Sequence, residues 1–346
     1  MRALRRAVAW AVALLLLVPG TAAATAAHGD GPPGIRVTAE RWIGERLLEL
    51  TVRSTALDGT ATVRLLTPDG WEERGRGERW PVLYLLAGGH GDPEAWTEDY
   101  AVDRLPQLRD VLVVMPSMPL FGFYSDWWNH GEGGAPRVES FHLAEVRPLL
   151  ERGYGAGDRR VAAGESQGGF GALAYAARHP GLFRAVAGFS GYVHPLQHPR
   201  AVRAGLDYLG LDRLALWGDP VAQRRIWQDH DPFYRPERLR GVEVHLSSGD
   251  GRAGVLDPPG TEPDPHVPGL EDPGDPFPSD VLSPTEAIMA AENRAVASRL
   301  RAHGVPVTTH FYRGTHSPPY WERELRSALP ALLRNLGPEG RPGGGD

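Results

Sequence analysis

The stretch from Arg159 to Pro180 constrains this chain more than any other. Val161-Ala162-Ala163 is a short apolar run of strand type. Gly164-Glu165-Ser166-Gln167-Gly168 follows, and then a helical segment with Ala172, Leu173, Ala176 and Ala177 on one side. Strand, tight turn, helix, with a serine at the turn: G-x-S-x-G in that setting is a nucleophile elbow. The sharp reversal forces the serine into a strained backbone conformation, tolerated only where the residues two away lack side chains. It also aims a helix N-terminus, with its free N–H groups and partial positive charge, at the reacting centre. A bare G-x-S-x-G means little in a chain with 43 glycines; the flanking strand and helix make it specific.

The N-terminus reads as a leader rather than as fold. Arg2, Arg5 and Arg6 precede an apolar run from Ala7 to Val18, followed by Pro19-Gly20 and small residues up to Ala27. That is the pattern of a secretory signal peptide over residues 1–27, and the run is short for a spanning helix. The expected mature protein is therefore secreted, extracellular or cell-wall associated, with no stable membrane insertion after signal removal. With no cysteine in the chain, it relies on packing rather than disulfides and has no thiol chemistry. A net charge of -6 gives no basic footprint for nucleic acid.

Taken in order, Glu45 to Ser54 and Thr60 to Pro68 alternate like half-buried strands around an Asp58-Gly59 turn, an antiparallel hairpin. Trp80 to Leu86 and Val111 to Met115 are continuous apolar runs, the mark of strands buried on both faces. Glu139 to Tyr154 has helical spacing, and Ala185 to Ser190 and Val242 to Ser247 read as further strands. Residues 251–284 are rich in Pro, Gly and Asp without periodicity, which predicts a long mobile flap. A helix then starts with Ser283 as N-cap, Pro284 at its first position and Glu286 at the capping-box position, and runs to about His303. Val305 to Tyr312 is the last strand and Tyr320 to Leu336 the last helix. A hairpin followed by strand–helix alternation means α/β class: a mostly parallel central sheet with helices on both faces, here of α/β-hydrolase fold. One catalytic domain is expected over residues 30–337, with a disordered tail over 338–346.

A serine nucleophile needs a base, and the base needs an orienting acid. In this fold the order along the chain is serine, acid, histidine. His316, in Gly314-Thr315-His316 after the last strand, is the expected base for Ser166. Two acids stay open on the residues alone. Asp250 lies in the loop after a strand, and Glu292 lies among Ile288, Met289, Val296 and Leu300 on the apolar stripe of its helix, where a carboxylate needs a buried partner. The oxyanion hole is expected from the backbone N–H groups of Gln167 and Gly89, the latter in the turn after Leu86. Histidines and aspartates within 257–280 have no metal-ligand spacing, so no metal is expected, and no motif calls for a cofactor.

Several segments carry a resemblance. Tyr84-Leu85-Leu86 before the Gly turn, Phe123-Tyr124-Ser125-Asp126-Trp127, the elbow, Trp217-Gly218, Asp231-Pro232, Glu292-Asn293, and Gly314-Thr315-His316-Ser317 with Tyr320-Trp321 are similar to a secreted esterase family. That family includes the mycobacterial mycolyltransferases and, more distantly, the esterase D type enzymes; the similarity covers about residues 79 to 336. The resemblance implies that the acid is the Glu of the Glu-Asn pair, Glu292, over Asp250, and that His90, Asp126 and Trp127 contact substrate. It also has gaps. The mycolyltransferases carry Asp and Arg in the turn near their sugar acceptor where Ala87 and His90 stand here, and the Trp after their His-Ser is Pro318. The expected function is a secreted serine ester hydrolase, carboxylesterase-like, working through a Ser-Glu-His triad and an acyl-enzyme on a small-molecule or lipid-like ester. The alternatives are an acyltransferase of mycolyltransferase type and a non-catalytic binding protein on the same fold.

Overall fold

The computed structural model describes residues 34–337. The expected leader over 1–27 and the tail over 338–346 lie outside the described residues. Among these, the alternating and apolar runs become nine strands of a single sheet, ordered β1-β2-β3-β5-β4-β6-β7-β8-β9. The hairpin is β2 (Leu47–Ser54) and β3 (Gly59–Leu66), paired antiparallel. An unforeseen strand, β1 (Ile35–Trp42), lies outside it. It is an edge strand whose one buried residue is Ile35, although Ile35, Val37 and Ala39 alternate with Arg36, Thr38 and Glu40 as a strand signal does.

From β5 onward every pairing is parallel: β5 (Leu112–Pro116), β4 (Trp80–Leu86), β6 (Ala156–Glu165), β7 (Ala185–Phe189), β8 (Glu243–Ser248) and β9 (Val307–Phe311). Successive side chains on these strands enter opposite cores. Tyr84, Leu86, Val114 and Ala162 face one, while Leu83, Leu85, Val113 and Ala163 face the other. Helix α1 (Gln167–Arg178), which follows the elbow, and α3 (Pro284–Ala302) pack into the first core; α4 (Pro318–Arg334) packs its Trp321, Leu325, Leu329 and Leu332 into the second. Helix α2 (Pro199–Tyr208) belongs to the connection between β7 and β8. The stretch expected as a helix from Glu139 is helical from Val138 to Gly153, with a π-helical section at Phe141–Val146.

Parallel strands all deliver their carboxyl ends to the same edge, and each crossover helix begins there and runs back along the sheet. The turn after β4, the elbow after β6, the loop after β8 and the loop after β9 therefore converge. Only the first turn of a crossover helix can reach that edge.

Candidate active site

Ser166 sits between the end of β6 and the start of α1 with φ 54° and ψ −121°, outside the ordinary regions for a side-chain-bearing residue. Its N–H is anchored on the Phe189 carbonyl at 2.9 Å. The two elbow glycines are required by space: a Cβ on Gly168 would lie 1.8 Å from the Leu86 carbonyl oxygen, and one on Gly164 2.3 Å from the Gly168 backbone. The loop after β9 brings His316 across, so that its Nε2 lies 3.1 Å from Ser166 Oγ. Trp321 meets the imidazole edge-on, ring centres 4.7 Å apart.

The other imidazole nitrogen is held by a residue that the sequence reading had assigned to a helix cap. Glu286 Oε2 lies 2.6 Å from His316 Nδ1. Its Oε1 accepts from Ser190 Oγ at 2.7 Å, Ser248 Oγ at 3.0 Å and the Gly249 N–H at 2.5 Å. The carboxylate is fully buried, and each of its oxygens is satisfied. Glu286 thus makes no capping box, and Ser283 places its hydroxyl on Asp264 Oδ2 rather than on the helix. The three side chains line up as serine, histidine and carboxylate, with a hydrogen-bond route from Ser166 Oγ to Glu286.

Both acids weighed on sequence are elsewhere. Glu292 is buried as its apolar stripe required, but it serves His198 Nδ1 at 3.1 Å and the His194 N–H at 3.0 Å. It lies six residues into α3 from Glu286, about 9 Å further along the axis at 1.5 Å per residue, and so away from the catalytic edge. Asp250 accepts from the Arg252 N–H of its own loop at 3.1 Å and from the Gly314 N–H of the loop after β9 at 3.4 Å, and among the described residues it shares no hydrogen bond with His316. The Glu-Asn pair is a fastening: Asn293 donates to the Gly191 carbonyl at 2.8 Å.

The turn after β4 borders Ser166. Glu165 takes the Gly88 N–H, Tyr124 donates to the Ala87 carbonyl at 2.5 Å, and the Phe121 N–H reaches the Gly89 carbonyl at 2.7 Å. Among the described residues no group accepts the Gly89 N–H. Gln167 is the first residue of α1, where an N–H has no acceptor within the helix. Gly89 and Gln167, the expected oxyanion donors, line the same cleft as Ser166. The residues around this turn include Phe121, Phe123 and Tyr124, all at positive φ, a strained run that places the Tyr124 hydroxyl under Ala87.

These groups open into a cleft of ≈ 520 Å³ that contains Ser166, His316, Gly89 and Gln167. Its lining combines apolar Leu120, Phe121, Tyr208, Leu209, Val267 and Leu270 with polar His90, Asp92, Asp99 and Glu165. Of the three substrate-contact residues implied by resemblance, only His90 lines the cleft. Asp126 is occupied by the Ser140 N–H and hydroxyl, and Trp127 is buried with its Nε1 on the Gly122 carbonyl at 3.1 Å.

Val267 and Leu270 come from the 251–284 segment expected as a mobile flap. In the structure that segment is tied down. Asp257 accepts from the Thr315 hydroxyl and, at 2.7 Å, from Tyr320, while Arg252 meets Asp280 at 2.7 Å. Electrostatics favour a working base. Burial pulls the His316 imidazolium down, but the hydrogen bond and charge of Glu286 outweigh it and leave its pKa above the usual 6.5. Among the described residues no helix is long and apolar enough to cross a membrane, and no group of His, Cys, Asp and Glu is placed to hold a metal ion.

A family model described as putative esterase matches residues 54–332. An esterase of Mycobacterium tuberculosis is 29% identical over 295 residues, covering 82% of this chain and 58% of that protein; the chain thus spans little more than half the relative's length. Two solved structures share the fold. MPT51 of Mycobacterium tuberculosis superposes with a TM-score of 0.61 at 21% identity, covering 82% of this chain and 96% of that one. An S-formylglutathione hydrolase from Agrobacterium tumefaciens gives 0.59 at 16% identity, covering 87% and 99%.

Proposed function

Since the chain belongs to the putative esterase family, we propose that it is a serine ester hydrolase with Ser166 as nucleophile, His316 as base and Glu286 as the orienting acid. The observation that carries this reading is the unbroken line from Ser166 Oγ through His316 to the buried Glu286. Ser166 Oγ attacks the ester carbonyl carbon while His316 Nε2 takes its proton. The oxyanion is held by the N–H groups of Gly89 and Gln167. Collapse breaks the bond to the alcohol oxygen, which leaves with the proton from Nε2, and an acyl-Ser166 remains. Water then attacks the acyl carbon, gives its proton to His316, and the carboxylic acid departs as Ser166 is reprotonated. Glu286 stabilises the imidazolium formed in each half without taking its proton.

The apolar part of the cleft lining supports an acid part larger than formyl or acetyl, with aliphatic or aromatic character. Water is the proposed acceptor, because the turn beside the serine offers Ala87 and His90 rather than a charged pair to hold a sugar. Transfer to an alcohol would need an oriented acceptor with an effective concentration on the order of 10⁵ M or more. The Arg-rich, apolar N-terminal sequence supports export, so the proposed location is extracellular or cell-wall associated.

The test is intact-mass labelling with an alkyl fluorophosphonate, followed by nitrophenyl esters of rising chain length. A single adduct mapped to Ser166 and a preference above the acetyl ester are expected. No adduct, or one elsewhere, would remove the enzyme reading. Supplying millimolar trehalose or glycerol with an activated ester and finding mostly new ester would turn the hydrolase into a transferase.

A further inference from the structure

The line Ser166–His316–Glu286 leaves one buried carboxyl of the cleft unused. Glu165 ends β6 directly before the serine, is only 5% exposed, and lines the same cleft as Ser166 and His316. Its Oε1 accepts the Gly88 N–H at 2.5 Å. Among the described residues it makes no ion pair with an arginine. A carboxyl in that position is costly to bury, and any neutral acceptor would satisfy Gly88 equally well.

We propose that Glu165 is a positioning residue with two actions: its oxygen clips Gly88 and so fixes the oxyanion turn, and its negative charge beside His316 favours the imidazolium that forms in the transition state. The proposal rests on the reading of Ser166 and His316 given above. The groups that face Glu165 agree with it. Gly88 lies on it from the turn after β4, and Tyr124 holds the other side of that turn through Ala87. Asp99 and Tyr100 line the same cleft, and His316 is the one cationic partner among the groups that act on Glu165. Tyr100 and Tyr124 are kept neutral, their phenols pushed up chiefly by burial. Burial also pushes Glu165 up to about 7, with Asp99 adding to the rise and Gly88 and His316 opposing it. Glu165 and His316 therefore titrate as a coupled pair, the charge on one favouring the charge on the other.

Glu165→Gln separates the two actions, since it keeps the acceptor for Gly88 and removes the charge. An attraction equivalent to one pKa unit on the imidazole is a factor of ten in the stability of the imidazolium. The expected result is kcat/KM about tenfold lower on its plateau, KM within about twofold, and the acid limb of the pH profile about one unit lower. Glu165→Asp, which keeps the charge, should leave the limb near its wild-type position. The second readout needs no turnover: the His316 ring resonances, titrated by NMR in a Ser166→Ala background, should move to a lower apparent pKa when Glu165→Gln is added. A shifted titration in a protein without esterase activity would retain the coupling while removing the ester reading. An unmoved titration and unmoved limb would overturn the proposal and reduce Glu165 to a clip. Glu165→Met, neutral and of similar length, repeats the titration should the Gln variant fail to fold by circular dichroism.

Discussion

At the residue scale, Ser166 and His316 were legible in the sequence because each sits at a place the fold dictates, one in the elbow and one just after the last strand. They are expected to act as a unit. Ser166→Ala and His316→Ala should each lower turnover by several orders of magnitude, with the double variant little worse than either; steady-state kinetics with a nitrophenyl ester checks this. Multiplying losses would mean the two do not work together. The acid was legible only in part. Helical periodicity revealed that Glu292 is buried, and burial implied a partner, but periodicity does not say which end of the helix meets the catalytic edge. Glu286 carried a reading that accounted for it fully, the capping box, and so drew no further attention. The discriminating signal was geometric: α3 starts at the catalytic edge, which supports the proposed acid in its first turn. Glu286→Gln should cut kcat by about three to four orders of magnitude, the scale of losing the carboxylate in a serine triad. Glu292→Gln should change kcat by less than about fivefold while lowering stability by about 1–3 kcal/mol, the cost of disturbing a buried hydrogen-bonded carboxylate. Urea unfolding beside kinetics separates the two, and the opposite ranking would return the acid role to Glu292.

At the scale of elements, the strained run at residues 121–124 and the turn after β4 form one assembly with the elbow. In the sequence, Phe123 to Trp127 reads as a family signature, with Asp126 and Trp127 as its substrate contacts. Its contacts show support from below, with Tyr124 under Ala87 and the Phe123 N–H on Gln167 Oε1 at 3.2 Å. A motif gives identities but not the direction in which side chains point. The 251–284 segment is the reverse case. Its Pro, Gly and Asp content correctly excluded regular structure, yet composition cannot reveal long-range clamps such as Asp257 on Thr315 and Tyr320. Thr315 directly precedes His316, so that clamp steadies the base. Burial raises the Asp257 carboxyl, but the donors from Thr315, Gly254 and Tyr320 outweigh it and hold it below the usual range. Asp257→Ala should therefore lower kcat/KM about tenfold, a misplacement penalty at the modest end of those known, and should speed cleavage within 251–284 in limited proteolysis. Unchanged cleavage and kinetics would make the clamp incidental.

For the whole molecule, the mostly parallel sheet followed from the succession of strand and helix patterns and from continuous apolar runs; the order of the strands was not read, and β1 escaped although Ile35, Val37 and Ala39 alternate with polar residues. The interior also sets an acid limit. His142 is buried, donates from Nε2 to the Ser117 carbonyl at 2.9 Å and shares its Nδ1 with the Tyr175 hydroxyl at 2.9 Å, and burial pulls it down to about 4. His230 is likewise lowered to about 4, again chiefly by burial. The unfolded chain takes up these protons first, near pH 6.5, so stability is full above that value and falls as pH drops toward 4. For His142 the loss is on the order of 2–3 kcal/mol. Thermal melts from pH 7.5 to 4.5 should show the fall, and His142→Gln, which cannot charge, should flatten it; an equally steep curve in that variant would assign acid lability to other groups.

The 251–284 segment leaves and re-enters the fold through a narrow neck. Arg252 bridges to Val281, and the Leu282 and Ser283 N–H groups both return to the Gly251 carbonyl, at 2.8 and 2.9 Å. Everything between is a closed excursion whose two ends are already joined, and α3 with Glu286 begins immediately beyond the join. The portion that lines the cleft thus meets the start of α3 through this neck and the contacts of Asp264 with Ser283 and Leu282, while Asp257 ties it to the loop of His316. A change of length at the tip around Val267 and Leu270 is therefore expected to reshape the cleft while the neck keeps the start of α3 in register.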